Sequence, residues 1–430
     1  MKGRDYQLSY LVRIILTHLR SKATKKFAGI IAYAALVFTA SAQTIPLTEF
    51  GDAGQGNDDT DIIQYAINIT AANLETLEIP AAAQAYNVWP LTIPNNANII
   101  LDPGVVIQAM SGYVEDQQMI HIEYVSNVSI TGTPGQSVFQ MRKSEYTSGE
   151  FRHCMRIAGS RNVALNGISC NNSGGDGLYI GANSNNISVF HSTFNNNRRQ
   201  GLTITSANGV TVSDCAFTNT NGTGPADGID LEPNTASDQL QNILIQNSSI
   251  SGNAGNGLTI SLNPLTYSSN PVSITINQVT SSNNGGNGFA VWNEHDNGVS
   301  AAGGNILIEN STSTNDANYG AAAIFYDATG AVTTFQNLTI TNANTSRTNV
   351  DGAAIAVKRG GGASRPMGNV KFIGTSISDP NHKLQNYFTV EDYSKIGVSN
   401  IYIGSFGTLS GLSSTLGILN GRTVTSVDIR

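Results

Sequence analysis

Three carboxylates crowd one short stretch, Asp227-Gly228-Ile229-Asp230-Leu231-Glu232, in a chain of 430 residues of which only 12% are charged. Apolar residues alternate with the acids, which is the period of a β-strand. On such a strand Ile229 and Leu231 face the core. Asp230 and Glu232 then face outward together, their backbones about 6.5–7 Å apart. Carboxyl groups about 5–5.5 Å apart suit glycosidic hydrolysis with retention, and about 6.5–9.5 Å hydrolysis with inversion. Two close carboxylates also push each other's proton affinities apart, giving one acid and one base. The same pair could bind Ca²⁺ as hard oxygen ligands; no motif in the chain demands a cofactor. Asp227 completes the candidate catalytic group, although an Asp before Gly is also ordinary turn chemistry.

A second set of residues has the chemistry to hold a sugar chain. Arg198 and Arg199 precede Gly201, one repeat before the acids. Arginine suits carboxylates and hydroxyls, though a solvated turn pair looks the same in sequence. His153 and Arg156 lie on the strand before Tyr179, in the columns of Asp227 and Asp230 respectively. Asp176 precedes Gly177 as Asp227 precedes Gly228. Trp292 faces outward on a polar surface, where an indole stacks well on a sugar ring, and His295 follows it. No protein metal site is expected. Cys154, Cys170 and Cys215 lack CxxC or Cys/His spacing and are read as small buried hydrophobes.

What must position these residues is a repeat. One pattern is Asn or Gly followed by apolar-x-apolar, as in Asn162-Val163-Ala164-Leu165, Asn186-Ile187-Ser188-Val189, Gly209-Val210-Thr211-Val212 and Asn242-Ile243-Leu244-Ile245. It continues through Asn305-Ile306, Asn337-Leu338-Thr339-Ile340, Asn369-Val370 and Asn400-Ile401. The other is Gly followed by alternating apolar residues, at Gly177, Gly201, Gly228, Gly257, Gly288, and more loosely Gly320 and Gly352. These glycines are 24, 27, 29, 31, 32 and 32 residues apart. A repeat of this length built only of short strands and turns stacks as a β-solenoid, each strand pairing with its equivalent about 4.8 Å away. The recurrent Asn then forms a ladder inside a turn, which explains the many Asn-x-Ser/Thr triplets without glycosylation.

Loop lengths sharpen the search. From the first pattern's apolar residue to the next Gly the chain takes 14 residues in six repeats, from 163→177 through 338→352, but 18 in 210→228. The insertion falls just before Asp227. One flank is therefore expected to be uniform and the other to grow the loops that wall a groove, since insertions on a rigid scaffold tend to carry function. Ahead of the repeats, Asp58-Asp59-Thr60 leads into Ile62, Ile63, Ala66 and Ile67 at helical spacing. A capping helix over about 58–70 is expected, closing the end of coils that run from about 90 to 410.

The segment Phe50-Gly51, Asp58-Asp59-Thr60, Ile63-Gln64 and Ala66-Ile67, with the repeats that follow, resembles the pectate-lyase-like (pectin lyase-like) superfamily over roughly residues 45–410. The resemblance implies an all-β fold, a single-stranded right-handed parallel β-helix with an N-terminal capping helix. It also implies a polysaccharide partner for most members, acted on by hydrolases, lyases or uronate epimerases, alongside non-catalytic adhesion and phage proteins. The Asn-Thr-Asp and Gly-His-Gly motifs of polygalacturonase-type hydrolases are absent, as is the Arg-x-Pro-x-x-Arg motif of calcium-dependent pectate lyases. Asp-Gly-Ile-Asp-Leu-Glu-Pro is only loosely similar to the Tyr-Gly-Phe-Asp-Pro-His type motif of alginate epimerases. No family role transfers residue by residue.

Residues 1–42 are read as a signal peptide with an N-terminal extension, and 43–430 as the β-helix domain. Lys25-Lys26, the apolar run Phe27–Thr39 and Ala40-Ser41-Ala42 have the three parts of a secretory signal, so a secreted, periplasmic or cell-surface location is expected. Without that segment the formal charge falls from −7 to −13, because it holds seven basic residues and one acidic. Such a surface gives no general basis for binding nucleic acid or an anionic membrane, and a monomer is the expected state.

Overall fold

Strands that alternate apolar and polar residues at a fixed repeat can satisfy their backbone only by pairing with the next copy of themselves. The computed structural model describes residues 43–430 except 294–300, 325, 347–351, 360–364, 394–395, 405, 412–416, 421–426 and 430. The segment 1–42, and with it the export signal, lies outside the described residues. The strands form three parallel sheets, one 14-stranded and two 12-stranded, whose neighbours are successive copies of the repeat. This is a right-handed parallel β-solenoid.

The first sheet holds the Asn-apolar-x-apolar strands, in register from Val128 through Val163, Ile187, Val210 and Ile243 to Ile274. Its Asn residues form the expected ladder: Asn162 Nδ2 donates to Asn127 Oδ1 at 3.0 Å and Asn186 Nδ2 to Asn162 Oδ1 at 2.9 Å. They sit at φ near +55° to +61°, a conformation Asn tolerates, and Gly209 replaces Asn there at φ +77°. The second sheet carries the Gly-apolar strands. A Cβ on Gly201 would lie 2.5 Å from the Gly228 carbonyl oxygen, and one on Gly228 2.8 Å from that of Gly257. In these two coils a side chain at the glycine position would run into the backbone of the next coil. The third sheet supplies aromatic stacks to the core, such as Phe194 on Phe217 with ring centroids 5.1 Å apart. That distance follows directly from the strand spacing.

The helix spans Thr60–Ala72 and buries Ile63, Ala66, Ile67, Thr70 and Ala71. Ile63 and Ile67 meet Ile79, Leu91, Ile99 and Ile107 at the end of the apolar interior. Left open, that end would expose apolar surface and unpaired edges. The Thr60 amide donates to Asp58 Oδ1 at 3.0 Å, while Asp59 turns inward and accepts the amides of Gly54 and Asn87.

Three expectations need correcting. Pairing begins at Thr44–Pro46 with Thr76–Ile79 rather than near residue 90, and strands persist at Gly417–Asn420 and Val427–Ile429. Asn337-Leu338-Thr339-Ile340 does not belong to the first sheet. Val332–Gln336 fills that place, with Thr333 opposite Ile306, and Thr339–Thr341 lies on the third sheet. Alternation alone cannot tell which sheet a strand joins. As a result Ala354, not Gly352, pairs beside Gly320. The flank called uniform is also longer at its start. Val128 to Cys154 takes 26 positions where Val163 to Gly177 takes 14, the two ends being paired coil to coil. The extra residues wall the groove described next.

Candidate active site

The second sheet presents one outward column that reads Thr92, His121, Arg156, Tyr179, Thr203, Asp230, Thr259 and Ala290 from coil to coil. Its outer face forms the floor of an open groove of about 540 Å³ that reaches from His121 and Glu123 to Arg199 and Glu232. Four coils separate the ends, about 19 Å at the β spacing. Phe151, on the long insertion, forms part of the wall.

Beside that column runs a second ladder, built on Gln118 and His153 and then on the residue before each glycine from Asp176 onward. In it each side chain accepts the backbone amide one coil on. His153 N donates to Gln118 Oε1 at 2.9 Å, Asp176 N to His153 Nδ1 at 2.9 Å, and Asp227 N to Gln200 Oε1 at 2.8 Å. Asn256 N then donates to Asp227 Oδ1 at 2.5 Å, and Asn287 N to Asn256 Oδ1 at 2.7 Å. The apparent chemical variety of this column in sequence hides one shared duty, the capture of an amide.

That duty decides several candidates. His153 is buried, and its Nδ1 must accept, because the Asp176 amide can only donate. The ring proton therefore sits on Nε2. Burial, then Arg199 and Arg156, push its pKa down to about 3 against the weaker pull of Glu115 and Asp116. The 3.3 Å approach of Nδ1 to the Asp176 carboxyl is thus not an ion pair at neutral pH. Asp176 is wholly buried, and burial raises its pKa to about 6 against Arg199 and its hydrogen bonds. Asp227 is 1% exposed. It accepts from Asn256 and from Thr259 Oγ1 at 2.5 Å, and burial holds its pKa at about 6.

Asp230 and Glu232 leave the strand on its outer side, since Ile229 and Leu231 are buried in the core. They differ sharply in access, which alternation did not foretell: Asp230 is 2% exposed and the Glu232 side chain 42%. Asp230 Oδ2 accepts from Gln200 Nε2 at 2.8 Å, while Oδ1 is buried without a hydrogen bond. Burial first, then Glu232 and Asp227, push this carboxyl well above the ordinary carboxylate range, with Arg199 opposing them.

Arg199 spans the acids. Its nitrogens lie 3.4 Å from Glu150, 3.4 Å from Asp176 and 3.7 Å from Glu232. Burial works against its charge, but Asp176, Asp230, Glu232 and Glu150 more than offset this, so it holds its proton more tightly than an ordinary arginine. Arg198 points elsewhere. Its guanidinium donates to the carbonyls of Gly149 and Thr147 and pins the insertion. Arg156 does face the groove, 2.6 Å from Glu123 and 5.5 Å over the Tyr179 ring. Tyr179 stacks on His153 and its hydroxyl meets Thr205 Oγ1 at 2.9 Å.

Trp292 extends the column after Ser261, two coils beyond the coil of Glu232, and does not line the groove. His295 lies outside the described residues. Among the described residues no cluster of three or more His, Cys, Asp or Glu could hold a metal ion, and the three cysteines are buried and free. Sequence reasoning missed His121, Glu123 and Gln200. The first two were legible, because Ile120-His121-Ile122-Glu123 has the same alternation as Ile229-Asp230-Leu231-Glu232. Gln200 was not, since only the ladder shows what its amide touches.

A family model described as the right-handed β-helix region matches residues 118–300. The fold is a right-handed parallel β-helix. Among solved structures, the A-modules of the Azotobacter vinelandii mannuronan C-5 epimerases AlgE6 and AlgE4 superpose on this chain with TM-scores of 0.67 and 0.64 at 16% and 17% identity. They cover 90% and 88% of it, and 99% of each module is covered in return. A family 28 exopolygalacturonase from Yersinia enterocolitica superposes at 0.56 and 14% identity, covering 90% of this chain and 80% of that one. At these identities the likeness is one of fold. The SPbeta prophage-derived uncharacterized protein YorA of Bacillus subtilis is 25% identical over 163 residues, 33% of this chain; the match spans 28% of YorA.

Proposed function

We propose that this chain hydrolyses a glycosidic bond of an extracellular polysaccharide, with Asp230 as proton donor and Glu232 as the base that activates water. The observation that carries this reading is a buried carboxyl, pushed by burial well above the ordinary carboxylate range, two residues along the chain from a partly exposed one. Environment thereby assigns opposite roles to two like groups. In the reaction Asp230 gives its proton to the glycosidic oxygen, and the carbon–oxygen bond breaks with its electron pair going to that oxygen. Water adds to the sugar carbon, and Glu232 takes the proton that water loses. Residues two apart on a strand have backbones about 6.5–7 Å apart; the anomeric configuration of the products, inverted or retained, reports the separation of the carboxyl groups themselves.

Asp230 is 2% exposed, so substrate reaches it only if neighbouring side chains yield, and Arg199 is a charged neighbour that faces the groove. Its contacts of 3.4 to 3.7 Å exceed the roughly 2.7–2.9 Å of a strong charge-assisted bond, so the guanidinium is held loosely enough to yield to substrate. A neutral glycan is favoured because the groove's cations are already matched: Arg156 by Glu123, and Arg199 by three carboxylates.

A second reading, elimination or epimerisation of a uronate, draws on the likeness to the epimerase modules. Neither His153 nor Arg199 can be its base, the one because Nδ1 is taken by an amide and the other because it keeps its proton. Of the bases expected from the sequence Tyr179 remains, and His121 lines the same groove. The test is turnover of residues 43–430 on neutral and uronic polysaccharides, with products weighed. Hydrolysis is expected, and Asp230→Asn or Glu232→Gln should each lower it about 10²–10⁴-fold with the fold intact. Full activity in both variants overturns the assignment. Products lighter by one water, absorbing in the ultraviolet, establish the second reading, and binding without turnover establishes a non-catalytic one.

A further inference from the structure

Gln200 is the ladder member whose side chain joins the ladder to Asp230. Its Oε1 accepts the Asp227 amide at 2.8 Å and its Nε2 donates to Asp230 Oδ2 at 2.8 Å, in a wholly buried position. The amide cannot be turned round, because a backbone N–H can only donate, so Oε1 must face Asp227. A hydrogen-bond donor is thereby fixed against Oδ2. The unprotonated oxygen of a carboxyl is the better acceptor, so the donor at Oδ2 favours Oδ1 as the oxygen that carries the proton. Oδ1 is also the oxygen without a hydrogen bond.

We propose that Gln200 is a positioning residue that dictates which oxygen of Asp230 carries the transferred proton. The inference deepens the hydrolytic reading and rests on it for its catalytic meaning, though the geometry stands without it. The donor also favours the ionised form of Asp230 once the proton has left, as does Arg199, against Glu232, Asp227 and Asp176. Gln200 thus eases proton departure without itself touching substrate.

The ladder offers a clean way to separate this role from a structural one. Asn256 accepts the next coil's amide with a side chain one methylene shorter. Gln200→Asn should therefore keep the bond to the Asp227 amide and lose reach to Asp230. A carbon-13 NMR titration of the aspartate carboxyls, assigned with Asp230→Asn, reads Asp230 directly and needs no substrate. In Gln200→Asn its midpoint should move up by about one to two pH units, the worth of a hydrogen bond to a charged group. The alkaline limb of the pH–kcat profile should rise with it, kcat should fall about tenfold or more, and KM should hold. An Asp230 midpoint that does not move overturns the proposal, whatever the activity. A protein without turnover whose midpoint moves removes the hydrolytic reading and keeps the geometry. Should Gln200→Asn fail to fold, the wild-type Gln200 side-chain amide decides. One of its protons should be slow to exchange and should shift when Asp230 titrates; a fast-exchanging, pH-insensitive amide overturns the proposal.

Discussion

Protonating His153 should unfasten a rung of the solenoid, and the cost can be worked from its surroundings. The ring is buried and its Nδ1 holds the Asp176 amide, so a second proton would set two N–H groups against each other. The folded pKa is pushed to about 3 from an ordinary 6.5. A depressed value means that the stabilisation is present above about 6.5 and is lost as the pH falls toward 3. At about 1.4 kcal/mol per unit, the interval from 6.5 down to pH 4 amounts to about 3 kcal/mol. Asp176 and Asp227, raised to about 6, act in the opposite sense, so the comparison must be made between variants at one pH. His153→Asn supplies it, because Asn can accept the same amide and does not titrate. Urea unfolding at pH 7 and pH 4 should show the wild type losing about 3 kcal/mol more than the variant, within a factor of about two. Nitrogen-15 shifts of the ring should report a proton on Nε2 throughout. Equal losses in the two proteins, or a proton on Nδ1 at neutral pH, would refute the reasoning.

Other consequences are equally direct. Asp227 has a folded value above its unfolded one, so its contribution is complete below about pH 4 and is lost as the pH rises through about 6. Asp227→Asn, which repeats the residue found in the next two coils, should therefore gain up to about 3 kcal/mol on the wild type at pH 8 and little at pH 4, by urea unfolding. Phe217→Ala removes one member of the stacked core pair and should cost about 3–5 kcal/mol; a loss under 1 kcal/mol would mean that the stack adds nothing to the core.

The architecture could be read largely from the chain because a solenoid writes its period into the sequence. The glycine column and the Asn ladder recur as residue types, and Gly177 to Gly288 and Asn127 to Asn186 pair as their spacing requires. The reading slipped at Asn337, where an Asn-apolar-x-apolar strand joined another sheet. Each sheet of the solenoid accepts the same alternation, and only the packed coil decides among them.

The sequence by itself determined the coils, the outward side of the strand for Asp230 and Glu232, and the columns shared by Arg156, Tyr179 and Asp230. Side-chain alternation and repeat length suffice for that, since both are properties of the backbone. Tertiary structure alone decided which of the two acids sees water, that His153 spends its Nδ1 on an amide, and that Arg198 pins a loop while Arg199 bridges the acids. Those outcomes depend on burial and on partners about 23 to 51 residues away along the chain, distances over which no local pattern carries information. Proton affinity follows from the same burial and neighbours, so the acid–base character of the groove exists only once the coils have stacked.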